Sequence, residues 1–452
     1  MYGHIARRDS RRNAFGFAGR WTYTLAVGRS VRRGAPRHIR SHAGPVRQPL
    51  EPEKIRLANL TLSNYRNFGD AELELNPGLS VFQGMNGQGK SNLLEAIYLL
   101  SVAKSPRASQ DRTLVAWDVM ANGGHAQIVG VARSNEQTTK IQIDFEAQPS
   151  NGSIAGEANG DSITVQKSLR VNGVKRSASD FVGALNVVSF AVEDLELVTG
   201  GPAVRRRYLD ILISQGDPTY LKALQRYQRV LTQRNNMLRL IRDRRASNDE
   251  LSFWDERLCE EGGAIIEKRG VAVERLKGPA LASHSDLADG DDSLALEYLP
   301  ALGPSGFFGS GESMTAVQLA ASLTESLGVL RDREMARGIT TVGPHRDELG
   351  ITLAGRSAAV FASRGQARTI ALSLKYAEGH LVSESTGRSP VLALDDVLSE
   401  LDEKRRRLVL EAASAYEQVL LTTTDFSFVE PGFLADAETF TVDGGTVGRV
   451  GL

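Results

Sequence analysis

Apolar and polar residues alternate from about residue 54 to residue 148, which is the period-two pattern of strands that bury one face. Residues 151–161 are rich in Gly, Asn and Ser, and we interpret them as a loop between strands. Residues 168–173 predict a strand that runs into an Asn-Gly hairpin turn. The alternation predicts strands at 60–62, 71–75, 126–131 and 141–145.

The pattern changes to a helical one beyond residue 200. Apolar residues recur every three to four positions over 220–241, after Pro218, and again over 251–265 and 317–330. No heptad repeat is sustained, so these segments predict a compact helical lobe and not a long coiled coil. The Gly/Asp/Ser-rich stretch 281–311 predicts irregular structure, and an α/β pattern returns at about residue 340.

The strongest chemical signal is a glycine-rich octapeptide between an apolar strand, 79–83, and an apolar helix, 92–100. Strand, glycine turn and helix form the context of a phosphate-binding loop, in which backbone N–H groups and the helix N-terminus surround an anion. In such a loop the lysine reaches the β- and γ-phosphates and the serine hydroxyl ligates Mg²⁺. The pattern predicts ATP binding by Gly84, Met85, Asn86, Gly87, Gln88, Gly89, Lys90, Ser91 and Asn92.

A second half-site follows roughly 300 residues later, a separation much longer than ordinary loops. The apolar strand 390–394 ends in Asp395 and Asp396, which is the form of a Walker B element. A buried parallel strand would hold Asp395 beside the Mg²⁺ that Ser91 also ligates. Asp396, one residue further on, would orient or deprotonate an attacking water, so we assign catalytic roles to Lys90, Asp395 and Asp396. The long gap indicates either a large insertion in the nucleotide-binding fold or two lobes that meet from opposite ends of the chain.

Charge is distributed unevenly along this 452-residue chain, whose formal net charge is zero. Residues 1–53 hold eleven arginines, no lysine and three acidic residues, so the remainder carries a net charge of −8. DNA contact by the folded part would therefore require a local basic patch. For residues 1–53 three interpretations stay open: a basic arm for nucleic acid, an organellar transit peptide, or a disordered extension from an upstream start, which we favour.

Cysteine content and hydropathy indicate which cellular compartment to expect for the protein. Cys259 is the only cysteine, so no intrachain disulfide can form, and a reducing, cytoplasmic location is expected. The longest apolar stretches are the size of strands, so we expect no transmembrane helix and no membrane partner.

Several motifs, in this order, resemble those of the RecF family of ABC/SMC-type ATPases from residue 54 to the C-terminus. The resemblance implies an α/β fold: an ABC-type P-loop ATPase head formed by 54–200 and 336–452, with an α-helical second lobe at 201–335 inserted between them. The motifs that carry it are 62–68 (LSNYRNF), the phosphate loop with 92–98, 193–195 (EDL), 205–210 (RRRYLD), 233–235 (QRN), 343–347 (GPHRD), 362–366 (ASRGQ) and 395–402 (DDVLSELD).

In this family 363–366 corresponds to the ABC signature motif. The resemblance therefore implies that Ser363, Gly365 and Gln366 face the γ-phosphate of ATP held by a partner subunit, which gives a homodimer with two enclosed ATP molecules. The resemblance also implies binding of double- and single-stranded DNA at gaps, action with the RecR and RecO mediators, indirect assistance to RecA, and roles in DNA repair, replication restart and the SOS response.

Departures from the ABC pattern modify this expectation. Asp396 replaces the longer glutamate of most ABC ATPases, and 420–425 (LLTTTD) has no switch histidine, so we expect a slow, DNA-stimulated ATPase. A scaffold that binds ATP without hydrolysing it stays possible, as does an SMC/Rad50-like tether, although the tether lacks its long heptads here.

Other basic residues have two interpretations each. Arg66 could contact the nucleotide or form a structural salt bridge, and His345 with Arg346 could line the DNA or nucleotide face or form a structural turn. Nine arginines are candidates for DNA phosphates, although a solvated helix face is the simpler interpretation of each: Arg205, Arg206, Arg207, Arg226, Arg229, Arg239, Arg242, Arg244 and Arg245.

Overall fold

The computed structural model describes residues 52–121, 124–134, 137–149, 163–288, 293–304 and 314–451. The predicted loop at 151–161 and nearly all of the predicted extension at 1–53 lie outside these ranges. The strands are β1 (Glu53–Lys54), β2 (Arg56–Tyr65), β3 (Phe68–Glu74), β4 (Gly78–Gln83), β5 (His125–Arg133), β6 (Thr138–Pro149), β7 (Ile163–Val171), β8 (Val174–Lys175), β9 (Val187–Phe190), β10 (Leu294–Leu299), β11 (Glu348–Leu353), β12 (Arg356–Ser357), β13 (Arg388–Ser389), β14 (Val391–Asp395), β15 (Gln418–Thr423), β16 (Glu438–Asp443) and β17 (Thr446–Val450).

Helices lie between the strands and dominate the middle of the chain. They are α1 (Lys90–Val102), α2 (Trp117–Ala121), α3 (Ala178–Phe181), α4 (Glu196–Thr199), α5 (Pro202–Gly216), α6 (Pro218–Arg242), α7 (Ser252–Ala288), α8 (Ala316–Arg337), α9 (Ala358–Phe361), α10 (Arg364–Thr386), α11 (Glu403–Ala413) and α12 (Pro431–Ala435). Within the described residues, none of these helices is long and apolar enough to cross a bilayer.

A six-stranded sheet in the order β17-β16-β4-β15-β14-β9 joins the two ends of the chain. All neighbouring strands in it are parallel except the β16–β17 hairpin. Strands β14 and β15 are apolar and buried along most of their length because elements cover both faces of the sheet. The α/β class predicted from the sequence is confirmed, with strands from before residue 191 and after residue 390 in one sheet.

A second sheet is antiparallel, in the order β3-β2-β5-β6-β7-β8. It contains all four strands that the alternation predicts, each longer than predicted. Asn172 and Gly173, at φ 51° and 79°, form the predicted hairpin turn between β7 and β8.

Helix α1 is packed between the two sheets. Its residues from Leu93 to Ser101 are all buried, so the apolar helix predicted at 92–100 is a core element of the fold. A Cβ on Gly130 of β5 would lie 2.5 Å from Leu100 Cδ1, so this glycine permits the close approach of helix and sheet.

The helical part agrees with the sequence at α6 and α8 and differs between them. The prediction that 281–311 is irregular is wrong at two places, because α7 continues to Ala288 and Leu294–Leu299 form β10, which pairs antiparallel with β11. The alternating burial of Leu294 and Leu296 is the strand signal that the polar composition of the window hid.

Two fully buried arginines fasten this helical part. Arg234 of α6 donates to Asp255 at 2.6 Å and lies 2.7 Å from Glu334 of α8. Arg269 of α7 pairs with Asp210 at 2.8 Å and Asp347 at 3.0 Å. Because loss of one partner would leave a buried charge unpaired, we expect each pair to be costly to break, by about 3–5 kcal/mol.

Candidate nucleotide-binding site

The octapeptide forms a tight turn from β4 into α1. A Cβ on Gly84 would lie 2.3 Å from the Val442 carbonyl oxygen, and one on Gly89 would lie 2.6 Å from the Asn67 side chain. Gly87 and Gly89 have φ values of 84° and 116°, which favour glycine. Gly89 is the N-cap of α1 and provides no side-chain cap, so the first N–H groups of the helix are not occupied by a side chain at that position. This loop has the form of an anion cradle.

Lys90 lies over this cradle. Its ammonium donates to the carbonyl oxygens of Gly84 at 2.6 Å and Met85 at 3.0 Å. Burial lowers the pKa of Lys90, while the negative charges of Asp396 and Asp395 act to raise it. The ammonium therefore contacts the loop carbonyls and interacts electrostatically with the two Walker B carboxylates.

The Walker B carboxylates meet the phosphate loop at the C-terminal edge of the parallel sheet. Strand β15 lies between β4 and β14, so Asp395 at the end of β14 is brought close to α1, where Asp395 and Ser91 line the same small cavity. Burial raises the pKa of Asp395, and the hydrogen bonds from Thr422 and Ser91 act in the opposite direction. A serine hydroxyl and a carboxylate are hard oxygen donors of the kind that Mg²⁺ prefers, so these residues fit the predicted metal.

Asp396 has an unusual backbone and an incomplete set of partners. Its φ is 50°, and its N–H donates to Thr422 Oγ1 at 2.9 Å. Among the described residues its Oδ1 atom is buried without a hydrogen-bond partner. A buried carboxylate oxygen in this state fits a position that receives water or ligand.

Sequence reasoning missed Thr422, which bonds the Asp395 carboxylate and the Asp396 backbone. Its hydroxyl donates to Asp395 Oδ1 at 2.7 Å and accepts from the Asp396 N–H, and the residue is fully buried. The three consecutive threonines at 422–424, which follow a second apolar segment, are the only sequence signal for this residue. The pairing of β14 with β15 is needed to show that Thr422 lies beside Asp395.

The phosphate loop is also held from outside by residues that the motif does not contain. Asn67 Nδ2 donates to the Gln88 carbonyl at 3.0 Å, and Asn92 donates to Asn67 Oδ1 at 2.8 Å. The turn between β16 and β17 adds hydrogen bonds from Gly444 and Gly445 to Gln88. The loop is thus tied both to the antiparallel sheet and to the C-terminal hairpin.

The predicted signature residues lie at the start of α10. Ser363 is exposed and caps the helix, since its Oγ accepts from the Gln366 N–H at 3.2 Å while Gln366 Oε1 accepts from the Ser363 N–H at 2.9 Å. In the described part of the chain, no hydrogen bond or ion pair joins Ser363 or Gly365 to the phosphate loop. The structure therefore brings together the loop, Asp395 and Asp396, and leaves the Ser363 group outside this set.

Arg66 is engaged in a structural salt bridge. Its guanidinium binds both oxygens of Glu95 at 2.9 Å, and Glu95 also accepts from Tyr65 and Ser105. Burial acts to raise the pKa of Glu95, but the hydrogen bonds from Arg66 and Ser105 outweigh it and lower the pKa. Of the two interpretations, the structural one describes the contacts of Arg66.

His345 and several candidate arginines are likewise bonded to other groups of the protein. His345 Nδ1 lies 2.6 Å from the Tyr227 hydroxyl, and burial lowers the pKa of His345 to about 4, so the ring is neutral at physiological pH. Arg205 binds both oxygens of Glu348, Arg206 donates to the Asp347 carbonyl and Arg226 pairs with Glu261.

Comparison with known proteins shows similarity over most of the chain. The model of the RecF/RecN/SMC N-terminal domain family matches residues 56–438. A Herpetosiphon aurantiacus protein described as DNA replication and repair protein RecF is 39% identical over 398 residues, which cover 86% of this chain and 99% of that protein. A Chloroflexus aurantiacus protein with the same description is 38% identical over 403 residues, which cover 86% and 98% of the two chains.

Solved structures extend the similarity to the fold. A structure described as the recombination mediator protein RecF with ATP in the RecFOR pathway has a TM-score of 0.74 at 32% identity, covering 88% of this chain and all of that one. A second RecF structure from the same pathway has a TM-score of 0.76 at 31% identity, covering 89% of this chain and all of the other. The predicted ABC/SMC-type ATPase head is thereby confirmed as the fold, and the chain belongs to the RecF family.

Proposed function

We propose that this chain is a RecF-type recombination mediator, an ATP-dependent DNA-binding protein that acts in DNA repair, replication restart and the SOS response. The observation that carries the proposal is the convergence of Lys90 and Ser91 with Asp395 and Asp396 at one edge of the parallel sheet. This arrangement supports binding of a nucleoside triphosphate by residues 84–92. The described ATP complexes of related RecF proteins support ATP as the nucleotide.

Each site residue then has a defined task. The glycine turn and the N-terminus of α1 hold the phosphates, and Lys90 moves from the loop carbonyls towards the β- and γ-phosphates. Ser91 and Asp395 would hold Mg²⁺, which neutralises phosphate charge when bound. Asp396 orients or deprotonates the attacking water, and its short side chain makes hydrolysis slow.

The exposed cap at Ser363, Gly365 and Gln366 has its task in a second copy of the chain. It faces the γ-phosphate held by the partner, so that ATP binding drives homodimerisation on DNA and hydrolysis releases the dimer. In the cytoplasm the dimer would act at single-strand gaps with the RecR and RecO mediators and thereby assist RecA loading. An SMC/Rad50-like tether is less well supported, since α6, α7 and α8 pack on one another around a shared apolar core.

A hydrolysis measurement distinguishes this function from an ATP-binding scaffold. We expect the wild type to release phosphate slowly and faster with duplex DNA, and Asp396→Asn to lose at least about 100-fold in turnover because a general base contributes 10²–10⁴. Steady-state phosphate release with and without DNA, together with ATP affinity as a control for folding, makes the comparison. Equal rates near background for both proteins would favour the scaffold.

Thr422 provides a second test with a matched control. Thr422→Val keeps the branched shape but leaves two buried groups, Asp395 Oδ1 and the Asp396 N–H, without this partner, so we expect a loss of about 1–3 kcal/mol in the free energy of unfolding. The loosened Asp395 should also raise the Mg²⁺ concentration that half-maximal hydrolysis requires. Thr423→Val is the control, because Thr423 is equally buried but bonds Asp425. The same Mg²⁺ dependence in both variants would contradict the role of Thr422.

A further inference from the structure

The open face of the antiparallel sheet carries five basic residues in one diagonal row. We call Arg56, Arg133, Lys140, Arg170 and Lys175 the basic row. Arg56 lies directly opposite Arg133, and Arg170 lies directly opposite Lys175. Lys140 joins the two pairs, because it is two residues away from the partner of Arg133 and from the partner of Arg170. The row crosses five strands, which is roughly 20 Å at a strand spacing of 4.8 Å.

The register places the row on the face that points away from the core. On the opposite face Ile128, Ile141 and Ile143 are fully buried in the core that contains α1. Arg133, Lys140 and Lys175 are exposed, and the Arg170 side chain is 46% exposed. The basic row is therefore accessible on the outside of the sheet.

The row is only partly compensated: Arg56 donates to the Leu75 carbonyl oxygen and Arg170 pairs with Asp144, while its other three residues have no carboxylate partner among the described residues. Like charges directly opposite each other destabilise a sheet, and the row contains two such pairs. Arg170 lies 3.4 Å from Asp144, whose carboxylate also accepts from Gln127 and Gln142. Within the ranges that the structure covers, Arg133, Lys140 and Lys175 form no ion pair. Arg205, Arg226 and Arg234 of the helical part, by contrast, all bind carboxylates.

Among the described residues of this face, acidic side chains lie in β3 and around Asp144. Asp70, Glu72 and Glu74 belong to β3, on the far side of β2 from the row, and Glu146 lies opposite His125. The face is thus polarised, with the acidic residues of β3 at one edge and, from β2 to β8, the five residues of the row against Asp144 and Glu146. A polyanion would be directed to the basic half.

We propose that the basic row binds the phosphate backbone of duplex DNA. This inference rests on the proposed DNA-binding function and adds the surface that performs it. Because residues 54–452 carry a net charge of −8, DNA contact requires a local basic patch such as this one. A row of roughly 20 Å can meet several phosphates at once, since duplex DNA carries one charge per about 1.7 Å of its axis.

The sheet favours the duplex over an unpaired strand. Unpaired bases bind by stacking on exposed aromatic rings, whereas the aromatic residues in the described part of this sheet, Tyr65, Phe68 and Phe145, are fully buried. Phosphate contact without base contact also gives binding that is independent of sequence.

The same sheet contacts the nucleotide site. Helix α1, which begins at Lys90, packs under β5 through Leu100 and Gly130, and Asn67 at the β2–β3 turn bonds the phosphate loop. DNA bound to the open face would therefore contact a sheet that is joined directly to α1 and to the phosphate loop. Through these contacts, DNA binding to the sheet could change the position of the phosphate loop and so stimulate ATP hydrolysis.

The test compares two triple variants of the full chain. Arg133→Gln, Lys140→Gln and Lys175→Gln together remove the uncompensated part of the row. Arg239→Gln, Arg244→Gln and Arg245→Gln remove the same charge from the exposed end of α6 and the turn after it. Affinity for a blunt duplex is measured with Mg-ATP over a series of salt concentrations. We expect the slope of log affinity against log salt to fall by about 3 in the first variant and by less than about 1 in the second.

The possible outcomes distinguish a wrong assignment of the DNA-binding surface from a wrong assignment of the DNA-binding function. An unchanged slope in the sheet variant, or an equal loss in the α6 variant, would overturn the assignment of the basic row. Absence of duplex binding by the wild type would instead contradict the proposed DNA-binding function itself. ATP affinity should be the same in all three proteins, which shows that the variants are folded.

Discussion

Lys90→Met is expected to lower the affinity for Mg-ATP by about 10- to 150-fold, which corresponds to the about 1.5–3 kcal/mol of a charge-assisted hydrogen bond. Lys90 is only 6% exposed. Methionine has nearly the length of lysine and is tolerated in buried positions. The loss should therefore come from the missing charge opposite the phosphates and not from a disturbed fold. Calorimetric titration with ATP and Mg²⁺ measures it directly.

Lys104→Met provides the control for Lys90→Met, because Lys104 is an exposed lysine just beyond the end of α1. It removes the same charge at the opposite end of α1, about 20 Å from the loop at 1.5 Å per helical residue, and should leave ATP affinity within about twofold, as expected for a screened surface charge. Unchanged affinity in Lys90→Met would remove Lys90 from its proposed role.

The nucleotide site shows which parts of a site can be predicted from local sequence patterns. The strand, glycine turn and helix around Lys90 are encoded within one short segment, and so is the apolar strand before Asp395. That the two segments meet could be expected only from the chemistry they share. Their meeting depends on β15, which lies between β4 and β14 and comes from residues near the C-terminus. For the same reason Thr422 could not be recognised as a partner of Asp395 from its own neighbourhood.

The buried ion pairs are the feature that was hardest to predict from the sequence. Arg234 and Arg269 lie on helices with many polar residues and resemble residues of a solvated face, yet both are fully buried. Their carboxylate partners include Glu334 and Asp347, far away in the chain. Local periodicity cannot indicate such pairs, because their energy depends on which helices pack together.

The wrong prediction for 281–311 has a different cause. Gly, Asp and Ser dominate the stretch as a whole, but the six residues of β10 alternate buried and exposed positions. Composition averaged over about thirty residues hides a strand of ordinary length, since strands typically have five to six residues. The pairing of β10 with β11 then supplies the hydrogen bonds that composition could not predict.

Ser363→Arg is expected to abolish ATP-dependent dimers while leaving ATP binding by the monomer intact. Ser363 is exposed at the start of α10 and is separate from the phosphate loop of its own chain. Under the proposed function it faces the γ-phosphate in the partner, where an arginine side chain would fill the space that the helix cap must occupy. Multi-angle light scattering with and without ATP measures the dimer, and a nucleotide titration at low protein concentration measures monomer binding.

Two further variants separate this effect from loss of the helix cap. Ser363→Ala removes the cap at a cost of about 1 kcal/mol without adding bulk, so it should weaken dimers less than Ser363→Arg does. Ser247→Arg makes the same substitution at another exposed residue with the same reciprocal capping arrangement, at the start of the segment before α7, and should leave dimerisation unchanged. Dimers that persist in Ser363→Arg would show that the cap of α10 faces no nucleotide of a partner. The Lys90 result would then still stand, because it depends on one chain alone.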